Sequence, residues 1–163
     1  MTEGDKRLRL PALDPRDVAD NTSTNYPEPF RSMVQGRVRK RLGEALGLRN
    51  FGVNLSLLAP GSRSSVRHWH SKQDEFVYVV EGEFTLVTDV GRQRLRAGMV
   101  AGFPAGGADG HHLVNESDAV ARYLEVGDRT PGDEGTYPDD DLQAVKTDTG
   151  CAFAHKDGRP YQK

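Results

Sequence analysis

From Phe51 onward, apolar residues recur with a period of two. Phe51, Val53, Leu55 and Leu57 alternate with Gly52, Asn54 and Ser56, and the run stops at Pro60-Gly61. This is the pattern of a strand that turns one face to a core. The same reading predicts strands beginning at Val66 and at Glu75, the latter ending at Glu81 before a tight turn at Gly82. Others follow at 84–88, 92–96, 100–103, 111–115 and 119–126, separated by glycine-rich turns such as Asp89-Val90-Gly91. Many short strands between such turns predict an all-β sandwich or barrel.

The flanks are less regular. Residues 1–36 are broken by Pro11, Pro15, Pro27 and Pro29 and by the turn-prone run 21–25, so they read as an irregular lead-in. Val38, Leu42 and Leu46 fall four apart and predict a short helix over 37–47, ended by Gly47 and weakened by Gly43. Its bases Arg37, Arg39, Lys40 and Arg41 read as a solvated face or a dimer contact. After Gly127 the run R-T-P-G-D-E-G-T-Y-P-D-D-D predicts a loop or arm, and Val145 with 151–155 a last edge strand. The division is an N-terminal arm at 1–50, a barrel core at 51–126 and a C-terminal segment at 127–163 that completes one domain.

Composition narrows the class. In 163 residues, 36% hydrophobic and 28% charged positions suit a globular domain with a core, and a net charge of -2 gives no general attraction to nucleic acid. The charged start lacks the apolar run of a secretory leader, and no stretch is long and apolar enough for a membrane span. Cys151 has no second cysteine to pair with; it reads as a small buried side chain, in a protein placed by default in the cytoplasm.

The residues with chemistry cluster at His68, His70 and Glu75. Residues two apart on a strand face the same side, so both imidazoles can enter the barrel. Glu75 opens the next strand, and His111 comes from a distant one. An H-x-H pair alone is more often an ordinary surface or core pair; three histidines and a carboxylate converging on one site suit one divalent ion, Fe, Mn, Zn, Ni or Co. Ser64 shares the parity of the histidines, and Arg63, Arg67 and Lys72 lie close enough in sequence to hold a substrate carboxylate or phosphate. Asp139, Asp140 and Asp141 lack the spacing of a calcium loop.

The run from Gly61 to Gly82, G-S-R-S-S-V-R-H-W-H-S-K-Q-D-E-F-V-Y-V-V-E-G, resembles the first motif of the cupin superfamily, with six rather than five residues before His68. Gly98, Pro104, Gly106, His111 and Asn115 resemble its second motif, with four rather than two residues between Gly106 and His111. The resemblance implies a double-stranded β-helix, or jelly-roll, barrel. It also implies metal ligation by His68, His70, Glu75 and His111, with His111 chosen over His112 by its spacing to Asn115, and turns at Gly82, Gly98 and Gly106.

These readings lead to a metal-dependent enzyme acting on a small polar or anionic molecule. A sugar-phosphate isomerase is the leading form, with Glu75 also able to move a proton. An Fe(II)-dependent dioxygenase and a non-catalytic ligand sensor are the alternatives. A homodimer through edge strands or N-terminal arms is expected, since pairing closes exposed edges.

Overall fold

The computed structural model describes residues 10–147 and 150–161. The alternation read from the sequence becomes β2 (Phe51–Leu58), β4 (Glu75–Glu81), β5 (Glu83–Thr88), β6 (Gly91–Arg96), β7 (Val100–Phe103), β8 (His112–Val114) and β9 (Ala121–Asp128). Around them stand β1 (Arg37–Lys40), β3 (Trp69–His70), β10 (Glu134–Thr136), β11 (Gln143–Thr147) and β12 (Gly150–Ala154). Two single-turn helices, α1 (Phe30–Met33) and α2 (Leu42–Ala45), complete the described elements, with a 3-10 turn at Pro15–Asp17.

The strands form three antiparallel sheets, ordered β1-β2-β9-β4-β7, β12-β11-β10-β3 and β6-β5-β8. The five-stranded sheet faces the other two, giving an all-β jelly-roll barrel. One apolar cluster joins Leu58, Val77, Val79, Ala121 and Tyr123 of the large sheet to Phe84, Leu86, Leu95 and Leu113 of the three-stranded one. A second packs Tyr26, Phe30 and Val34 of the N-terminal segment, together with Val66, against Tyr137, Leu142 and Ala144. Burying these side chains supplies the main driving force for closing the barrel.

Three expectations are corrected. The segment predicted as a helix over 37–47 is β1 followed by the short α2. R-V-R-K alternates as well as it spirals, and the open edge of β2 offers Arg37–Lys40 a full register of partners. Of its four cations only Arg41 is exposed: Arg37 is buried, Arg39 pairs with Glu125, and Lys40 pairs with Asp20. The strand expected from Val66 is only β3, with isolated bridges at Arg63 and His68 before it. The segment read as a loop after Gly127 contains β10, which pairs with both β3 and β11. The expected edge strand is β12; the side chain of Cys151 lies outside the described residues.

The parity of β2 also differs in effect. Ser56 and Leu58 are fully buried, whereas Val53, Leu55 and Leu57 are half-buried and Phe51 is exposed on the outer face. Gly82, the one residue between β4 and β5, has φ +75, and a Cβ there would stand 2.8 Å from that of Ala121. The turn therefore needs a residue free to adopt the left-handed region without a side chain.

Candidate metal centre

His68 lies just before β3, His70 ends it, and Glu75 opens β4 beside them. Their ligand atoms converge: His68 Nε2 and His70 Nε2 are 3.1 Å apart, and the Glu75 oxygens lie 3.8 Å from the first and 3.7 Å from the second. His111 enters opposite His68, to which it is bridged by two backbone hydrogen bonds, and its Nε2 is 2.8 Å from Glu75 Oε2.

The hydrogen-bond partners fix the imidazole tautomers. His68 Nδ1 lies 2.9 Å from the Val66 carbonyl, and His70 Nδ1 lies 2.6 Å from Asp133 Oδ2. Both partners only accept, so each Nδ1 carries a proton and donates it. That leaves two bare Nε2 lone pairs facing each other, an arrangement that a cation between them satisfies. Two ligands about 2.0–2.1 Å from one ion and at right angles stand about 3 Å apart. The His68, His70 and Glu75 cluster can therefore hold a divalent metal ion.

Electrostatics favour a neutral His68 beside an ionised Glu75. Burial lowers the His68 pKa to about 4, against the attraction of Glu75. Burial alone would raise the Glu75 carboxyl. The hydrogen bond with His111 and the surrounding imidazoles outweigh it and hold that carboxyl down to about 2.

Three supporting residues, Asp133, Phe103 and Tyr137, have no marker in the sequence. Asp133, 4% exposed, orients His70 and accepts from the Lys72 backbone N–H at 2.8 Å, so the loop before β10 buttresses the cluster. Phe103 stacks on His111 with centroids 3.5 Å apart, and Tyr137 stacks on His68 at 5.5 Å. The Gly106 N–H donates to the His70 carbonyl at 2.8 Å with φ +71, which ties the second motif's turn to β3. His112, the neighbour of His111, lies by the charges of Arg63, Arg67 and Asp139.

A cavity of about 220 Å³ borders this cluster and is also lined by Ser64, Val77, Tyr123, Arg39 and Glu125. A second, of about 130 Å³, lies against Trp69, Gln73, Phe103 and Pro104, with Glu75 on both walls. Ser64 is thus on the wall, its Oγ accepting from the Leu113 N–H at 2.9 Å. Arg63, Arg67 and Lys72 are on neither wall. Arg63, in the irregular segment before β3, makes an isolated bridge with Val114 and is half-buried. Arg67 is held by Asp139 at 2.6 and 2.7 Å, by Asp89 and by the Gly110 carbonyl, and Lys72 is exposed. The cation in the cavity is Arg39, which the alternation of R-V-R-K would have placed on one face with Arg37.

Comparison with known proteins agrees with this architecture. The Cupin domain family matches residues 54–127. A solved sugar phosphate isomerase from a cupin superfamily, from Silicibacter pomeroyi, is 44% identical, with a TM-score of 0.89 over 93% of this chain and 97% of that chain. A candidate sugar phosphate isomerase from Acidithiobacillus ferrooxidans is 28% identical, with a TM-score of 0.69 over 78% of this chain and 81% of that one. The polyketide cyclase RemF from Streptomyces resistomycificus, 21% identical with a TM-score of 0.62 over 75% and 82%, shares the fold alone. No curated protein matches. With its jelly-roll sheets, both motifs and this likeness over nearly its whole length, the chain belongs to the cupin superfamily.

Proposed function

We propose that the chain is a metal-dependent cupin enzyme that interconverts the aldose and ketose forms of a small sugar phosphate. The observation that carries this reading is its 44% identity, over 93% of the chain, to a cupin described as a sugar phosphate isomerase. The metal-binding geometry of His68, His70 and Glu75 is consistent with it.

In this reading His68, His70 and Glu75 would hold one divalent ion, while His111, expected as a fourth ligand, donates from Nε2 to Glu75 Oε2 and steadies that carboxylate. When bound, the ion supplies Lewis-acid stabilisation of charge on the adjacent hydroxyl and carbonyl oxygens of the sugar. The chain's own residues do the rest. Asp133 keeps the His70 lone pair directed inward, and Val66 does the same for His68 through its carbonyl. Glu75 borders both cavities, so its carboxylate, when released from the ion, can take or return a proton between adjacent substrate carbons, a role that competes with ligation. Phe103 and Val77 supply apolar wall, which limits water beside the reacting atoms.

The test begins with elemental analysis of untagged protein beside a His68→Ala/His70→Ala double variant. About one transition-metal ion per wild-type chain, lost in the variant, is expected. A panel of aldose phosphates in deuterated water should then show deuterium entering at C1 or C2 together with ketose formation. Absence of metal after anaerobic reconstitution, or absence of both exchange and conversion, would overturn the assignment. Substrate-dependent oxygen uptake by the iron-loaded protein would favour the dioxygenase alternative instead.

A further inference from the structure

The sugar-phosphate reading leaves the anionic end of the substrate without a partner, because Arg63, Arg67 and Lys72 are on neither cavity wall and Arg67 is already held by Asp139 and Asp89. The cavity that borders the cluster contains a different cation. Arg39 projects inward from β1, pairs in register with Ser56, and is half-buried on the cavity wall that also carries His68, His70 and Glu75. A guanidinium has five N–H donors in a planar fork. Among the described residues the Arg39 fork makes no hydrogen bond of ordinary geometry. Its one charged contact is Glu125 Oε1, 3.3 Å from Nε, and Nε is itself buried without a hydrogen-bond partner. Glu125 Oε1 also accepts from Asn54 Nδ2 at 2.8 Å, so the carboxylate is shared rather than given wholly to Arg39. A half-buried cation with unfilled donors favours a ligand that brings oxygen acceptors.

The spacing fits as well. Glu75 stands opposite Gly127 on β9, and Glu125 is two residues along the same strand. At about 3.3 Å per residue, the backbone position of Glu125, which Arg39 contacts, is offset by about 6–7 Å along β9 from the one opposite Glu75. That is the reach of a short sugar chain between its carbonyl end and a terminal phosphate.

We propose that Arg39 is the anchor for the phosphoryl group of the substrate, with Glu125 as the counter-charge it leaves on binding. This deepens the isomerase reading and rests on it for the identity of the ligand. The guanidinium forks onto phosphate oxygens, the sugar's reactive end lies toward Glu75, and unphosphorylated sugars lack the contact that holds them in place.

The test is calorimetric titration of the metal-loaded protein with inorganic phosphate, followed by the aldose phosphate panel and the matching free sugars. Arg39→Gln should weaken phosphate binding about 10–100-fold, the worth of a charge-assisted fork, with metal content unchanged. It should also remove the preference for phosphorylated over free sugar. Glu125→Gln removes the competing carboxylate and should tighten phosphate binding several-fold, a gain that misfolding cannot produce. Phosphate binding that neither substitution changes, or that is absent in the wild type, would overturn the anchor even if the panel is turned over. Phosphate binding that responds to both, with no turnover of any sugar phosphate, would keep the anchor and remove the isomerase reading.

Discussion

At the scale of single residues, the site depends on groups that hold other groups in place. Asp133 is buried and makes a 2.6 Å contact with His70 Nδ1. Asp133→Asn removes the charge that fixes this tautomer and is expected to lower metal affinity about 10–100-fold, read by competition with a chromogenic chelator. Unchanged affinity would show that His70 is fixed by packing alone. A second expectation concerns protons in the chelator-stripped protein. Burial brings the pKa of both His68 and His112 down to about 4, with Arg63 adding to the effect at His112. In the unfolded chain each takes its proton near 6.5. Between those values the unfolded chain binds more protons, so stability rises with pH across that window. The melting temperature of stripped protein should fall by several degrees as pH drops from about 6.5 toward about 4, and His112→Asn should flatten part of that slope. An equal slope in the variant would exclude His112. The histidines and Glu75 were legible in the sequence because H-x-H and a following carboxylate are local patterns. Asp133 was not, since nothing in a run of turn residues reports the histidine 63 positions away that it contacts.

At the scale of elements, short segments followed their partners more than their own pattern. Residues 37–40 carry a spacing compatible with a helix or a strand, and the unpaired edge of β2 decided for the strand. Propensity is a weak prior when a neighbour offers a complete set of backbone hydrogen bonds. The same choice turned Arg37 and Arg39 inward rather than to solvent. β10 has only three residues, too few for any period to be read, and exists because β3 and β11 flank it. The turn at Gly82, by contrast, is a local necessity. Gly82→Ala forces a side chain into the left-handed region, about 1–2 kcal/mol by itself, and against Ala121. A lower urea midpoint with an unchanged slope is expected; an unchanged midpoint would show that the turn relaxes.

At the scale of the whole molecule, the outer face of the five-stranded sheet stands out. Phe51, Phe76, Tyr78, Val80 and Val100 are each more than a third exposed there. Leu55, Leu124, Tyr78 and Val100 lie in one cross-strand row, and Val53, Val126 and Phe76 in the next. A broad apolar face of this kind is uncommon on a monomer. Burying this face between two copies is one arrangement of the expected homodimer, beside pairing through edge strands or N-terminal arms. Light scattering on a sizing column is expected to give twice the chain mass, and Tyr78→Asp to shift it toward the monomer. A monomeric wild type at working concentration would exclude the pairing. Of the described helices, none is long and apolar enough to cross a membrane.

By itself the sequence determined the all-β class, most of the strands from Phe51 to Val126, the turns at Gly82 and Gly106, and the histidines and carboxylate of the candidate centre. Those features are written in local spacing: a period of two, a turn residue, two histidines two apart. The tertiary structure decided which parity of β2 is buried, that Arg37–Lys40 is a strand, that Arg67 is tied to Asp139 and Asp89, and that Arg39, Glu125 and Asp133 surround the centre. Each of these depends on a partner distant in sequence, and a charge carries no local sign of which opposite charge, or which cavity, it will meet when the sheets close.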